Sequence, residues 1–220
     1  MIRKLWRWVL DLLYPPKCVL CQRLLQPAER DLCAQCAGSL LINTAPVKGI
    51  PLCKQCIAPL NYQDAIRESL LRFKFSGKQN YAVFYGTQIA DAVKAAGGDA
   101  AELITWVPIS KKRLRERGFD QAQLLAQTVA AQLGLRAVKT LKKIRNNRRQ
   151  SGLKDAAERR GNVRGAYRIY RPQRVRGKHV LLVDDIVTTG ATLSECTAVL
   201  LAAGAADVCC AAAATAHKTN

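Results

Sequence analysis

Apolar positions along this chain switch between a helical and a strand period, and the switches outline a series of elements. Residues 61–75, NYQDAIRESLLRFKF, place Ile66, Leu70, Leu71, Phe73 and Phe75 close to one helical face that passes into something more extended, and Gly77 breaks it. Residues 81–96 read as a helix with Val83, Phe84, Ile89, Ala90 and Val93 on one broad face, ended by Gly97 and Gly98. Leu103 to Val107 reads as a buried strand stopped by Pro108, and the basic KKRLRERGFDQ that follows reads as a loop or irregular turn. Residues 121–133 form a further helix, stopped at Gly134. Residues 141–165 are strongly charged with few apolar anchors, which suits a mobile excursion. Ala166–Tyr170 reads as a strand with Tyr167 and Ile169 on one face. Val180–Val183 is a wholly apolar strand ending at Asp184 and Asp185. Residues 191–203 form a helix closed by Gly204, and Val208–Ala214 is a last apolar strand. Strand, helix and strand in succession with short links predict an α/β fold with an open, mostly parallel sheet and crossover helices.

The first 60 residues do not share this pattern. They are short on periodicity and rich in cysteine and turn residues, so residues 1–60 read as a small Cys-rich module and 61–220 as the α/β domain. The start, MIRKLWRWVLDLLYPPKC, is basic and then partly apolar. Asp11 interrupts it and no small-residue cleavage site follows, so it reads as a short amphipathic helix ending at Pro15-Pro16 and not as a secretory signal. Trp6 and Trp8 beside Arg3, Lys4 and Arg7 suit either a membrane surface or packing against the module. No apolar run reaches the length of a membrane span.

Of the nine cysteines, six form three C-x-x-C pairs in the first 56 residues. Cys18, Cys21, Cys33 and Cys36 have the spacing of a tetrahedral four-thiolate zinc site built from two knuckles. In so small a module the metal would supply much of the folding energy. A thioredoxin-type redox pair fits less well, because it needs one C-x-x-C at a helix start beside a strand. Cys53 and Cys56 make a third pair without a visible fourth, and His179 and His217 are far off in sequence. The pair is either a relict or exchanges roles with one of the first two. Cys196, Cys209 and Cys210 lie in apolar segments and read as free core thiols.

Charge changes the picture further. The 220 residues hold 35 Lys and Arg against 16 Asp and Glu, a formal +19. Residues 139–178 carry 15 basic and 2 acidic residues, and 111–117 carry 5 and 1, whereas 179–220 are net acidic. Focused basic regions imply anionic partners: phosphate, pyrophosphate, nucleic acid or acidic lipid.

The sharpest chemical signal is VLLVDDIVTTGATLSE, residues 180–195. Asp184 and Asp185 stand at the carboxyl end of a predicted parallel strand, where open α/β sheets bind ligands. Ribose hydroxyls, or a sugar with bound Mg²⁺, would satisfy the two carboxylates. Thr188, Thr189, Gly190, Ala191 and Thr192 let backbone N–H groups and hydroxyls surround a phosphate at the start of the next helix. No Walker A lysine pattern is present. The bland alternative is a strand, turn and helix with capping threonines and solvated aspartates.

This string resembles the phosphoribosyl pyrophosphate (PRPP) motif of type I phosphoribosyltransferases. The wider chain resembles the ComF/GntX-like family, through its Cys-rich start, LLRFKFSGK (70–78), VPISKKRLRERGFDQAQLLA (107–126) and RNNRRQSGLKDAAERRGNVRGAY (145–167). The resemblance implies a type I phosphoribosyltransferase-like sheet in which Asp184 and Asp185 contact the ribose hydroxyls or their Mg²⁺. Thr188 to Thr192 would hold the 5′-phosphate, and Arg117, in the family's RGF segment, would meet pyrophosphate. The family usually continues that segment with Asn, where this chain has Asp120. Arg145, Gln150, Arg160 and Asn162 fall where the family carries polar residues of a loop that closes over pyrophosphate. Two readings of function follow. One is phosphoribosyl transfer from PRPP to an unknown acceptor, with pyrophosphate as leaving group. The other is single-stranded DNA binding during uptake in natural competence, beside a helicase-like ATPase at the inner face of the cytoplasmic membrane. The basic stretch around Arg148 and Arg149 and the zinc module would then grip the strand.

Overall fold

The computed structural model describes residues 15–97, 100–145 and 163–217. Its elements run α1 (Ala34–Gly38), β1 (Gln55–Ile57), β2 (Leu60–Asn61), α2 (Asp64–Phe75), α3 (Tyr81–Ala95), β3 (Leu103–Trp106), α4 (Lys111–Arg117), α5 (Gln121–Gln132), β4 (Leu141–Lys143), β5 (Tyr167–Ile169), a 3₁₀ turn (Pro172–Arg174), β6 (His179–Val187), α6 (Ala191–Ala202) and β7 (Asp207–Thr215). The main sheet is parallel in every pairing, in the order β1-β7-β6-β3, with β2 also on β7. A separate antiparallel pair, β4 and β5, stands apart from it.

The strand period divides the interior into two cores. Leu181, Val183, Ala211 and Ala213 join Ile104 and Trp106 in a core with helices α3 and α5. Val180, Leu182, Val208 and Cys210 face the other way and pack with Leu193, Cys196 and Leu200 of α6 and with Tyr167 of β5. Both faces of β6 are therefore covered, as a parallel strand requires. Helices α3 and α5 approach closely because Gly86 faces Thr128, whose Cβ would lie 2.5 Å from any Cβ added at Gly86.

Several details differ from the sequence reading. The basic segment after β3 is a helix and not a loop. The Ser110 hydroxyl accepts from Arg113 N–H at 3.3 Å, and Gly118 ends the helix at φ +80 with its N–H on the Leu114 carbonyl at 2.8 Å. Strand β6 does not stop before the aspartates. It runs through Asp184, paired in register with Ala212, to Val187 opposite Thr215. Phe75 and Val83, expected on buried faces, are 66% and 55% exposed. Within the charged 141–165 stretch, Leu141 pairs with Ile169 and Lys143 with Tyr167.

The cysteine-rich start does not stand off from this frame. Cys18, Val19, Leu20 and Cys33 share one core with Leu70, Phe73, Tyr81 and Tyr85. Residues 55–57 and 60–61 lie along the edge of β7, Cys56 opposite Cys210 and Leu60 opposite Ala214. Strands of two and three residues are too short to show a period. Among the described residues no helix is long and apolar enough to cross a membrane. The N-terminal helix read from residues 1–14 lies outside the described residues.

Candidate functional site

A cleft of about 400 Å³ opens at the carboxyl ends of β3 and β6. Val107, Pro108 and Ile109 form one lip, Asp184 to Val187 the floor, and Thr188 to Leu193 the opposite wall leading into α6. Arg113 and Arg117 enter from α4, Lys143 and Tyr167 from the β4–β5 pair, Lys74 and Arg67 from α2, and Tyr62 follows β2. Five cations therefore surround two carboxylates, a balance that suits a polyanion with hydroxyls or a metal to satisfy the acids.

The two aspartates have different surroundings. Asp184 Oδ1 accepts from Asp185 N–H at 2.8 Å. Burial, and then the Asp185 charge, push its carboxyl well above the usual carboxylate range. Asp185 Oδ2 lies 2.8 Å from Lys74 Nζ, both side chains 17% exposed. In the wall, Gly190 sits at φ +70 as N-cap of α6 and supplies no side-chain acceptor, while Thr189 Oγ1 accepts from Ala191 N–H at 3.5 Å. The first turn of α6 thus faces the cleft with its backbone donors and the positive end of its dipole.

The cations are held by specific partners. Arg117 Nη1 donates to Gln121 Oε1 at 2.8 Å, Gln121 Nε2 donates to the Lys74 carbonyl at 3.4 Å, and the guanidinium lies 5.1 Å over the Phe75 ring. Burial pulls Arg117 below its ordinary pKa. Lys143 Nζ lies 2.9 Å from the Tyr167 hydroxyl, and burial pushes its pKa down to about 8. Asp120 faces away from the cleft. Its Oδ1 accepts from Gln123 N–H at 3.3 Å to cap α5, and its Oδ2 accepts from Ile109 N–H at 3.1 Å.

The cleft thus brings together Asp184, Asp185, Thr188, Thr189, Gly190, Ala191, Thr192 and Arg117 from the sequence reading. Arg145 is not among the lining residues; its guanidinium donates to the Arg164 carbonyl at 2.6 Å. Gln150, Arg160 and Asn162 lie outside the described residues, as do Arg148 and Arg149. Sequence reasoning passed over Lys74 and Lys143 as site residues. The signal for Lys143 was its inward position in the alternation Leu141, Lys142, Lys143, which only a known strand makes readable.

A second cluster lies in the cysteine-rich region. The sulfurs of Cys18, Cys21, Cys33 and Cys36 all lie within 4.8 Å of one another, with Cys21 and Cys33 at 3.7 Å. Four thiolates on zinc at about 2.3 Å require sulfur separations of roughly 3.8 Å, so this donor set fits the metal. Burial raises the Cys18 thiol, but N–H groups of Cys21, Cys33 and Leu20 outweigh it and bring the pKa down to about 7. Cys53 and Cys56 are elsewhere: Cys53 Sγ donates to the Ile50 carbonyl at 3.4 Å, and Cys56 is buried in β1.

Comparison with known proteins matches residues 9–70 to a family model described as a double zinc ribbon domain, and residues 120–220 to a phosphoribosyl transferase domain. The DNA utilization protein YhgH of Salmonella typhimurium is 28% identical over 217 residues, covering 88% of this chain and 94% of the relative. Competence protein F of Haemophilus influenzae is 25% identical, covering 87% of this chain and 93% of its own. Competence protein ComFC of Bacillus subtilis is 27% identical, covering 91% and 85%. The chain is thus similar along most of its length to competence proteins of the ComF kind. The cysteine cluster falls within the zinc-ribbon match, and Asp184 to Thr192 within the phosphoribosyl transferase match. Lys74 lies between the two matched segments.

Proposed function

We propose that the cleft binds PRPP or a related sugar phosphate together with Mg²⁺, in the service of DNA uptake or utilization. The observation that carries this reading is the placement of Asp184 and Asp185 on one strand end between two anion-attracting walls. The backbone of residues 188–192 suits a terminal phosphate. Arg113, Arg117 and Lys143 stand where a second anionic group, such as the pyrophosphate, would lie. Asp184 and Asp185 are the residues that would hold Mg²⁺, and the ion would supply charge neutralisation for a departing pyrophosphate. The protein's own residues position the sugar, balance the charge and, through the apolar lip at Val107 and Pro108, limit water. The names of the relatives supply the link to DNA.

Calorimetric titration with PRPP in Mg²⁺ tests the reading. Wild type is expected to bind, and Asp184→Asn with Asp185→Asn to lose at least about tenfold in affinity, the scale of one charge-assisted contact. No PRPP binding by the wild type in Mg²⁺ would overturn it.

A second reading rests on α4, where Lys111, Lys112 and Arg115 are exposed beside the cleft mouth. These three suit the backbone of single-stranded DNA. Competition between such DNA and PRPP, lost progressively with salt, is the expected sign of a shared surface.

A further inference from the structure

Helix α2 touches both chemical centres of the molecule. Its middle faces the first cysteine knuckle. The buried Ser69 hydroxyl donates to the Val19 carbonyl at 2.7 Å, and Arg72 Nη2 donates to the carbonyls of Val19 at 3.3 Å and Leu20 at 2.5 Å. Val19 and Leu20 are the two residues between Cys18 and Cys21. The knuckle is tied a second time, because Gln22 Nε2 donates both to the Cys18 carbonyl at 2.8 Å and to the Tyr81 hydroxyl at 2.6 Å. The last turn of α2 faces the cleft, where Lys74 meets Asp185 at 2.8 Å. Ser69 and Lys74 are separated by roughly 7.5 Å of helix rise. Leu70 and Phe73, both fully buried, fasten the intervening turn to the core.

We infer that Lys74 is a positioning residue of the cleft, placed against Asp185 by the metal-bound knuckle through α2, so that metal retention and ligand binding are coupled. The inference rests on the sugar-phosphate reading for its ligand and on the contacts above for its path. With all four thiolates committed to a metal, the Cys18–Cys21 turn holds two carbonyls toward Ser69 and Arg72. With the turn released, a buried hydroxyl and a largely covered guanidinium lose their acceptors, which favours movement of α2. Movement of α2 withdraws the ammonium from Asp185 and leaves two adjacent carboxylates without their nearest cation. Coupling of this kind is reciprocal: a ligand that favours the ordered cleft also favours the ordered knuckle.

The test follows zinc transfer from the zinc-loaded full chain to a chromogenic chelator. It compares wild type, Lys74→Met, Lys74→Arg and the exposed-surface control Asp91→Asn, each checked for fold by circular dichroism. Lys74→Met is expected to release zinc about fivefold faster than wild type, at the lower end of usual coupling strengths, with Lys74→Arg and Asp91→Asn near wild type. Ribose 5-phosphate with Mg²⁺ is expected to slow release from wild type and not from Lys74→Met. Equal release rates for wild type and Lys74→Met overturn the inference. So does a wild-type rate that ignores ribose 5-phosphate while calorimetry shows it bound. If calorimetry shows no ribose 5-phosphate binding, the coupling is decided by the comparison of wild type with Lys74→Met, and the sugar-phosphate reading by the PRPP titration.

Discussion

A Cβ placed on Gly190 would stand 2.8 Å from Ile50 Cγ1. The turn before α6 is therefore moulded against a residue from the segment that joins the cysteine cluster to β1. Gly190→Ala meets two penalties. The left-handed backbone at φ +70 costs a non-glycine residue about 1–2 kcal/mol, and the overlap adds about 1–3 kcal/mol. The expected result is a lower urea midpoint together with weaker PRPP binding. Ile50→Ala removes the overlap but not the backbone strain, so the double variant is expected to be more stable than the sum of the single losses. Additive urea midpoints would show that the contact does not shape the turn.

Lys143 supplies a pH signature. Its folded-state pKa of about 8 lies below the ordinary 10.5 because burial disfavours the charged form, with repulsion from Arg113 adding to it. Between those values the folded chain holds fewer protons than the unfolded chain, so the contribution of Lys143 to stability rises with pH across that window. Anion affinity moves the opposite way, because the cation facing the cleft is lost. Pyrophosphate titrations from pH 7 to 10 are expected to weaken above about pH 8 in wild type, and to be flatter and weaker throughout in Lys143→Met. A wild-type affinity unchanged across that range would remove Lys143 from the anion site.

Asp120 uses both oxygens as acceptors, one for Gln123 N–H and one for Ile109 N–H. Asn offers one acceptor and would turn its NH₂ toward one of these donors. Asp120→Asn is therefore expected to cost about 1–3 kcal/mol, and Asp120→Ala to lose the α5 cap as well. Chemical denaturation reads both. An Asn variant as stable as wild type would mean that the Ile109 contact contributes nothing.

Metal analysis separates the cysteine pairs. One zinc per chain is expected. Cys18→Ser is expected to lower both zinc content and melting temperature, because Cys18 lies in the same core as Leu70 and Phe73. Cys53→Ser is expected to keep its zinc, since its sulfur bonds to the Ile50 carbonyl away from the four-sulfur cluster. Loss of zinc from Cys53→Ser would reassign the ligands.

The legible parts of this fold were those with long patterns. The apolar runs of β3, β6 and β7 and the helices between them could be read because burial on both faces leaves continuous hydrophobic stretches. Asp184 to Thr192 could be located because strand end, carboxylates and small-residue turn are contiguous. What escaped was short or three-dimensional. Helix α4 is all charge with Leu114 as its one aliphatic residue, and it is held by its Ser110 and Gly118 caps, which carry no period. Strands β1 and β2 exist through pairing with β7 and have no signature of their own. Lys74 could not be assigned to the cleft from its neighbours, because its partner Asp185 is more than a hundred residues away and the two meet only in the folded chain.

The pairing of residues 55–61 along β7 has a consequence for dissection of the molecule. A chain cut to begin at residue 62 would strip β7 of its outer partners and bare backbone groups along one side, among them the Val208 carbonyl that accepts from Lys54 N–H at 2.9 Å. That side is a row of alanines and cysteine with no charged gatekeeper among residues 208–214. Such an open margin is a template for strand addition by another copy, so the shortened protein is expected to self-associate.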